Sequence, residues 1–360
     1  MSVLVYGAYG YTGELIVEEM NERGIEFVVG GRNETKTRGL GVMADAEARV
    51  FAADEATPEL DDVEVLLNCA GPFVKTHEPL VEACLETGTH YLDITGELAV
   101  FEALAERDRA AEKADICVLP GVGFDVVPTD CIAGHLHERL PEATDLRLGF
   151  DALGAVTGGT VASAIEHASA GGKVRRDGVI EDTPVASASR TIDFGRGERH
   201  AVTIPWGDVA TAYYTTGIEN IEVAAPMPER VATLLRVSDP LLSVLSVGPV
   251  KSGLQALARQ AFSGPSEAER ARGRSYVWGE ATDGERTVTT RIETPEVYAL
   301  TVDAATTAAQ HIDDADTAPT GYHTPSSAFD PEFVLDLDGV DGFYDEDATA
   351  TAAVEPTGRK

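Results

Sequence analysis

The chain opens on a short apolar run, Val3-Leu4-Val5-Tyr6, and then alternates between two rhythms. Brief uninterrupted apolar runs read as buried strands, and apolar residues recurring every third or fourth position read as helices. Ile25–Arg32 and Ala48–Asp54 read as the second and third strands. Val63–Phe73 is a fourth running into a loop, His90–Glu97 a fifth and Ile116–Asp125 a sixth. Among them, Gly13–Met20 opens an amphipathic helix, Glu78–Gly88 is helical and stops on a glycine, and Val100–Lys113 is a charged helix. This alternation predicts a parallel, doubly wound α/β sheet over residues 1–130. After Pro128 the pattern changes. Gly154–Gly172 is rich in small residues, and Thr191–Val223 alternates in the manner of antiparallel strands, which predicts a second, α+β domain over 131–322 for substrate binding or pairing of two copies. Pro295–Ile312 reads as a helix. Within 323–344, His323–Leu337 reads as a last helix packing back on the core, with Thr324 as N-cap and Pro325 at its first position. The tail 345–360 has no apolar period and is expected to be disordered.

Between the first strand and the first helix, "VYGAYGYTGELI" spaces Gly7, Gly10 and Gly13 three residues apart. That setting gives each glycine a task. Gly7 turns the chain off the strand, Gly10 clears a Cβ where a diphosphate would meet the helix start, and Gly13 lets helix and strand approach. The spacing is G-x-x-G-x-x-G, a variant of the dinucleotide fingerprint, and the fold expected is Rossmann-type. At the end of the second strand an acidic residue would accept a bond from a ribose 2′-hydroxyl. This chain instead has Arg32 followed by Asn33, with Lys36 and Arg38 close behind, a set suited to a 2′-phosphate and so to NADP, with NAD as the alternative.

Composition narrows the partners. A formal net charge of -33 over 360 residues disfavours nucleic acid, whose phosphates would be repelled. The acid is spread along the whole chain, as a solvated coat would be, and points to a salt-rich cytoplasm where the Debye length shrinks to about 3 Å at 1 M. The most apolar stretch, Val237–Val250, is short and interrupted by Asp239, Pro240 and Pro249, so no membrane span is expected, nor is a signal peptide. Cys69, Cys84, Cys117 and Cys131 show no metal-ligand spacing, which predicts free thiols in a reducing compartment and no metal.

Candidate chemistry gathers at the strand ends. In "NCAGPF", Ala70 and Gly71 let the backbone approach a cofactor and Pro72 stiffens the turn. Asp93, Glu97, Asp125 and Asp130 fall at or after the ends of the fifth and sixth strands, where carboxylates either donate protons or cap helices. His77 and Tyr91 are further proton-transfer candidates. In "IPWGDVATAYYTTGIENIEV", Trp206, Asp208, Thr211 and Tyr213 supply a partly apolar wall with polar groups, Tyr213 among the catalytic candidates. Arg175 and Arg176, being adjacent, point opposite ways on a strand.

Taken in order, "YGAYGYTGELI", "GGR", "NCAGPF", "VEACLETGTHYLDITGE" and "PGVGFDVVPTD" resemble the saccharopine dehydrogenase-like NAD(P)-binding family, in the branch that includes trans-acting enoyl reductases. "TPEVYALT" and "GYHTPSSAF" carry the likeness onward. The resemblance implies that Gly7, Gly10, Tyr11, Thr12 and Gly13 form the diphosphate turn, that Arg32 lies at the adenosine ribose, and that Ala70, Gly71 and Pro72 flank the nicotinamide. Tyr9, Asn33 and Asp54 complete the expected cofactor set. The resemblance implies NADP-dependent hydride transfer, and the apolar wall around Trp206 points to a small, partly apolar substrate. Enoyl reduction comes first; saccharopine-type or amino-acid imine dehydrogenation and a non-catalytic NADP sensor are the alternatives.

Overall fold

The computed structural model describes residues 3–153, 171–233, 267–314 and 318–349. Val237–Val250, most of Gly154–Gly172 and residues 350–360 lie outside the described residues. Val3–Tyr6 (β1) is buried along its whole length. It pairs in parallel with Phe27–Gly31 (β2) on one side, and Glu47–Val50 (β3) follows β2 outward. On the other side come Val65–Asn68 (β4), His90–Asp93 (β5) and Cys117–Leu119 (β6), again all parallel. The order β3-β2-β1-β4-β5-β6 is doubly wound and reverses between β1 and β4, the position where such sheets bind ligands.

The helices follow from apolar stripes and glycine stops. Tyr11–Arg23 (α1) buries Ile16, Val17 and Met20 and ends on Gly24 in the left-handed conformation. Glu34–Ala44 (α2) is capped by Asn33. Phe73–Thr87 (α3) starts five residues before the expected Glu78, because a carboxylate distant in sequence caps it. The single helix expected over Val100–Lys113 is two, Leu98–Ala105 (α4) and Asp108–Ala114 (α5). Val127–Arg139 (α6) leaves the first sheet and lies against the second, where Gly279 makes room for Ile132 and Leu136.

The second sheet is mixed. Asp145–Leu153 (β7) is followed by the hairpin Gly172–Arg176 (β8) and Val179–Thr183 (β9), then by Ser189–Asp193 (β10) and Glu198–Thr203 (β11). Asp208–Thr216 is a helix (α7), which corrects the antiparallel alternation expected through Thr191–Val223. Its threonines and tyrosines favour strands locally, but Asp208 to Ala212 and Thr216 are buried beneath α4, α6 and β8, and that packing decides. Asn220–Pro226 (β12) pairs in parallel with β7. Glu267–Arg272 (α8), Arg274–Thr282 (β13), Arg286–Pro295 (β14) and Val297–Asp314 (α9) follow.

From there the chain returns to the first sheet. α9 lies along α1, tied by Arg23 to Asp303 at 2.5 Å and Thr307 at 2.9 Å, and Gly321–Tyr322 (β15) extends the sheet beside β6. A second unit running unbroken to 322 is thus corrected: α9 and β15 complete the first. The expected last helix is a short one, Pro325–Phe329 (α10), followed by a 3-10 turn at Pro331–Asp336, the break falling at Asp330 with φ 80°. Thr324 caps α10 as expected. The expected disorder from 345 is also corrected, since Tyr344–Thr349 (β16) pairs with β14. Asp345, Glu346 and Asp347 meet Arg139 and Arg291, so its order comes from a sheet edge and cations far away in sequence.

Candidate functional site

The turn after β1 is built for close approach. Gly7 has φ +79°, and a Cβ there would lie 2.7 Å from the Ala70 Cβ. At Gly13 a Cβ would lie 2.7 Å from the Gly7 carbonyl oxygen and 2.8 Å from that of Ala8. The amides of Gly7 and Ala8 bond to the Gly30 carbonyl at 2.9 and 3.3 Å, so the turn is pinned to the end of β2. α1 starts behind Gly10 with no side-chain cap, which leaves its positive end facing the turn. Tyr9 lays its ring over Gly31, and the Lys36 ammonium stands 5.6 Å from that ring. Arg32 is exposed at the end of β2. Asn33 accepts the Lys36 amide at 3.0 Å, so its task is to cap α2. Burial pushes the Tyr6 hydroxyl up to about 12; Tyr9 and Asp54 raise it and Arg32 lowers it, which puts these groups around one strand end. Tyr11 is exposed at the start of α1 and Thr12 half-buried. A side-chain-free shelf at an uncapped helix start with a cation beside it fits a dinucleotide.

At β4, Asn68 holds the next loop. Its Oδ1 accepts the Ala70 amide at 2.9 Å, and its amide donates to Thr76 at 3.2 Å and to the Tyr91 hydroxyl at 3.1 Å. Tyr91 donates to Asp93 Oδ2 at 2.8 Å, while Asp93 Oδ1 accepts the amides of Thr95 and Gly121 at 2.9 and 3.0 Å. Both residues are fully buried. Burial outweighs these bonds and raises the Asp93 carboxyl to about 6. Gly71 and Pro72 are exposed at the tip of the loop. Glu97 accepts the Phe73 and Val74 amides, both at 2.9 Å, and so caps α3. His77 Nδ1 contacts the Phe73 carbonyl oxygen at 2.8 Å, and its ring borders an outer depression of about 330 Å³ with Glu78 and Arg107. The Cys69 thiol is pushed up by burial, so it is a packed sulfur and no nucleophile.

The four strand-end acids separate here. Asp125, after β6, is partly exposed, its carboxyl lying over Gly96, where a Cβ would be 2.5 Å from Oδ2. Burial raises that carboxyl to about 6. Trp206 donates its indole N–H to the Asp125 carbonyl at 2.9 Å and packs on Phe150, centroids 4.8 Å apart. Asp130 is fully buried and accepts from Thr215 and, at 2.8 Å, from the Ser326 amide, which makes it a tie between α6, α7 and α10. Asp208 is equally buried; Oδ1 accepts Thr129 at 2.6 Å and Thr211 at 3.5 Å, and burial holds its carboxyl well above the ordinary range. Tyr213 faces the Arg175 guanidinium, 4.2 Å from its ring. The structure therefore brings Asp125 and Trp206 to the sheet edge, and leaves Asp93, Asp130, Asp208, Thr211 and Tyr213 in internal contacts.

Three groups at this edge were not singled out from the sequence, although Tyr298 and Thr301 lie inside the recognised "TPEVYALT". Thr301 of α9 accepts the Phe124 amide at 3.0 Å and holds the loop after β6. Tyr298 meets the Tyr11 ring edge-on at 5.0 Å, and Arg270 of α8 donates to the Tyr11 hydroxyl at 3.0 Å. Asn68 lay inside a recognised motif; its hydrogen-bonding side chain was the available clue. Among the described residues no group of His, Cys, Asp and Glu is set to hold a metal ion, and no helix is long and apolar enough to cross a membrane.

Fold and turn together define a doubly wound α/β protein whose first turn has the form of a dinucleotide fingerprint. Residues 3–119 match the family described as the saccharopine dehydrogenase NADP binding domain. Among curated relatives, the chain is 31% identical over 184 residues to a trans-acting enoyl reductase of Mycobacterium leprae, covering 46% of this chain and 44% of that one. It is 31% identical over 161 residues to a saccharopine dehydrogenase-like oxidoreductase of Mus musculus, covering 38% and 37%. The chain thus spans less than half the length of the curated relatives it matches. Apo saccharopine dehydrogenase (L-Glu forming) from Saccharomyces cerevisiae has the same fold, with a TM-score of 0.63 at 13% identity over 97% of this chain and 100% of that one.

Proposed function

We propose that this protein is an NADP-dependent oxidoreductase acting on a small, partly apolar substrate, with enoyl reduction as the reaction. The observation that carries the reading is the glycine shelf at the start of α1 with Arg32 beside it. Gly7, Gly10 and Gly13 would hold the diphosphate, Arg32 and Lys36 the 2′-phosphate, and Ala70, Gly71 and Pro72 one face of the nicotinamide. When bound, the cofactor supplies a hydride to one carbon of a polarised double bond. Asp125 is our proton donor to the neighbouring carbon: it is at the sheet edge, partly exposed, and its carboxyl, raised to about 6, holds a proton below that pH. Trp206 holds the Asp125 backbone and offers an apolar wall. Among the described residues, the adjacent arginines of β8 are engaged elsewhere, which supports an apolar substrate. Arg175 is spent on the carbonyls of Val209 and Gly178 and on Glu102, and Arg176 faces outward towards Glu181. We place the protein in a reducing, salt-rich cytoplasm on the strength of its free cysteines and its charge of -33.

The test is to titrate NADPH and NADH in concentrated KCl, then to screen NADPH consumption with enones, imines and ketones, identifying products by mass. Tighter NADPH than NADH binding with turnover of an enone supports the proposal. Absence of NADPH binding overturns it, imine turnover alone would favour amino-acid dehydrogenation, and binding without any turnover would favour a sensor.

A further inference from the structure

The dinucleotide shelf is made by the first sheet, yet a cation from α8, next to the second sheet in sequence, reaches its rim. Arg270 donates through Nη1 to the Tyr11 hydroxyl at 3.0 Å, across 259 positions of sequence. Tyr11 is the first residue of α1, directly behind Gly10, so the hydroxyl it presents to Arg270 belongs to the residue that opens the uncapped helix. The Tyr11 ring is fixed by Tyr298, edge-on at 5.0 Å, so both contacts come from the segment that follows the first sheet. Arg270 also lies near enough to Glu296 to lower its carboxyl, against the burial that raises it. Glu296 itself accepts the Tyr298 amide at 2.9 Å, which joins guanidinium, α9 and Tyr11 in one assembly. The cofactor's diphosphate is the anion that the α1 start is shaped to receive, and a planar guanidinium is the side chain best matched to it.

We propose that Arg270 binds the diphosphate of the cofactor, so that the segment carrying α8 and α9 completes a site begun by the glycine turn. The inference rests on the dinucleotide reading above. It assigns Arg270 to the part of the cofactor shared by NADPH and NADH, whereas Arg32 is assigned to the 2′-phosphate that only NADPH carries.

The experiment measures dissociation constants of NADPH and NADH for the full chain in KCl, with wild type, Arg270→Ala, Arg270→Lys and Arg32→Ala. Loss of a charge-assisted contact weakens binding by about ten- to a hundredfold. Arg270→Ala should weaken NADPH and NADH by the same factor in that range, Arg270→Lys should recover part of it, and Arg32→Ala should weaken NADPH alone. An unchanged melting temperature of each apo variant shows that the fold is intact. Wild-type affinity in Arg270→Ala overturns the proposal, as does a loss confined to NADPH, which would move Arg270 to the 2′-phosphate. Failure of the wild type to bind either cofactor defeats the underlying dinucleotide reading instead.

Discussion

Replacing Gly13 by alanine adds one methyl group and tests the shelf directly. Its Cβ would stand 2.7 Å from the Gly7 oxygen and 2.8 and 2.9 Å from the Ala8 oxygen and carbon, all backbone atoms of the turn. Comfortable contact begins near 3.4 Å, so the start of α1 must back away by about 0.7 Å, and forced displacements of this kind cost roughly 1–3 kcal/mol. The amides displaced are those assigned to the diphosphate, so the cost falls on cofactor binding as well as on the fold. If binding carries most of it, affinity drops by about 5- to 150-fold, equally for NADPH and NADH. Neighbouring glycines calibrate the effect. A Cβ on Gly10 would stand 3.2 Å from the Gly7 oxygen, so Gly10→Ala should cost the apo fold about 1 kcal/mol or less, and a larger loss of affinity would come from the methyl group meeting the diphosphate. Gly39, inside α2, has nothing within 4 Å of its Cβ position, so Gly39→Ala should leave binding alone and stabilise the fold by up to about 1 kcal/mol. Fluorescence titration with both cofactors, beside thermal melts of the apo proteins, reads all three. Gly13→Ala with wild-type affinity and an unchanged melting temperature would refute the reasoning.

Three further outcomes are expected. Asp125→Asn should lower the reduction rate by about 10²- to 10⁴-fold with little change in NADPH affinity. The wild-type rate should fall as pH rises through about 6, because a raised carboxyl is protonated below that value, and steady-state pH profiles should show the limb vanish in the variant. Asp93→Ala strips the acceptor from two buried amides and the Tyr91 hydroxyl and should cost roughly 3–6 kcal/mol in denaturant melts, while Asp93→Asn, which keeps an acceptor, should cost about 1 kcal/mol. Molar KCl should raise the melting temperature, since screening weakens the self-repulsion of a charge of -33; a flat or falling melting temperature from 0.1 M to 2 M would count against a salt-adapted surface.

What could be read from the sequence was what neighbours in the chain decide. Three glycines between an apolar run and an amphipathic stretch specify the turn because their contacts are with one another and with Ala8 and Ala70. Arg32 was legible because it directly follows β2, and Thr324 because a cap acts on the amide three residues on. The helix at Asp208–Thr216 was not, since burial by partners distant in sequence overrode a strand-like composition. The acids show the same division more sharply. Asp93, Glu97, Asp125 and Asp130 look alike in sequence, each at or after a strand end, and all four were reasonable proton donors. Their roles are set by groups that arrive from elsewhere: two amides of α3 for Glu97, and the Ser326 amide, 196 positions away, for Asp130. Gly121 reaches Asp93 across 28 positions. Asp125 is a partly exposed residue at the rim, and among the described residues its hydrogen bond runs from the Trp206 indole, 81 positions on, to its backbone carbonyl. A carboxylate whose lone pairs already serve buried amides gives up fold stability when it turns over a proton, and one that serves none does not. That difference, created wholly by long-range packing, is the physical ground for assigning the chemistry to Asp125.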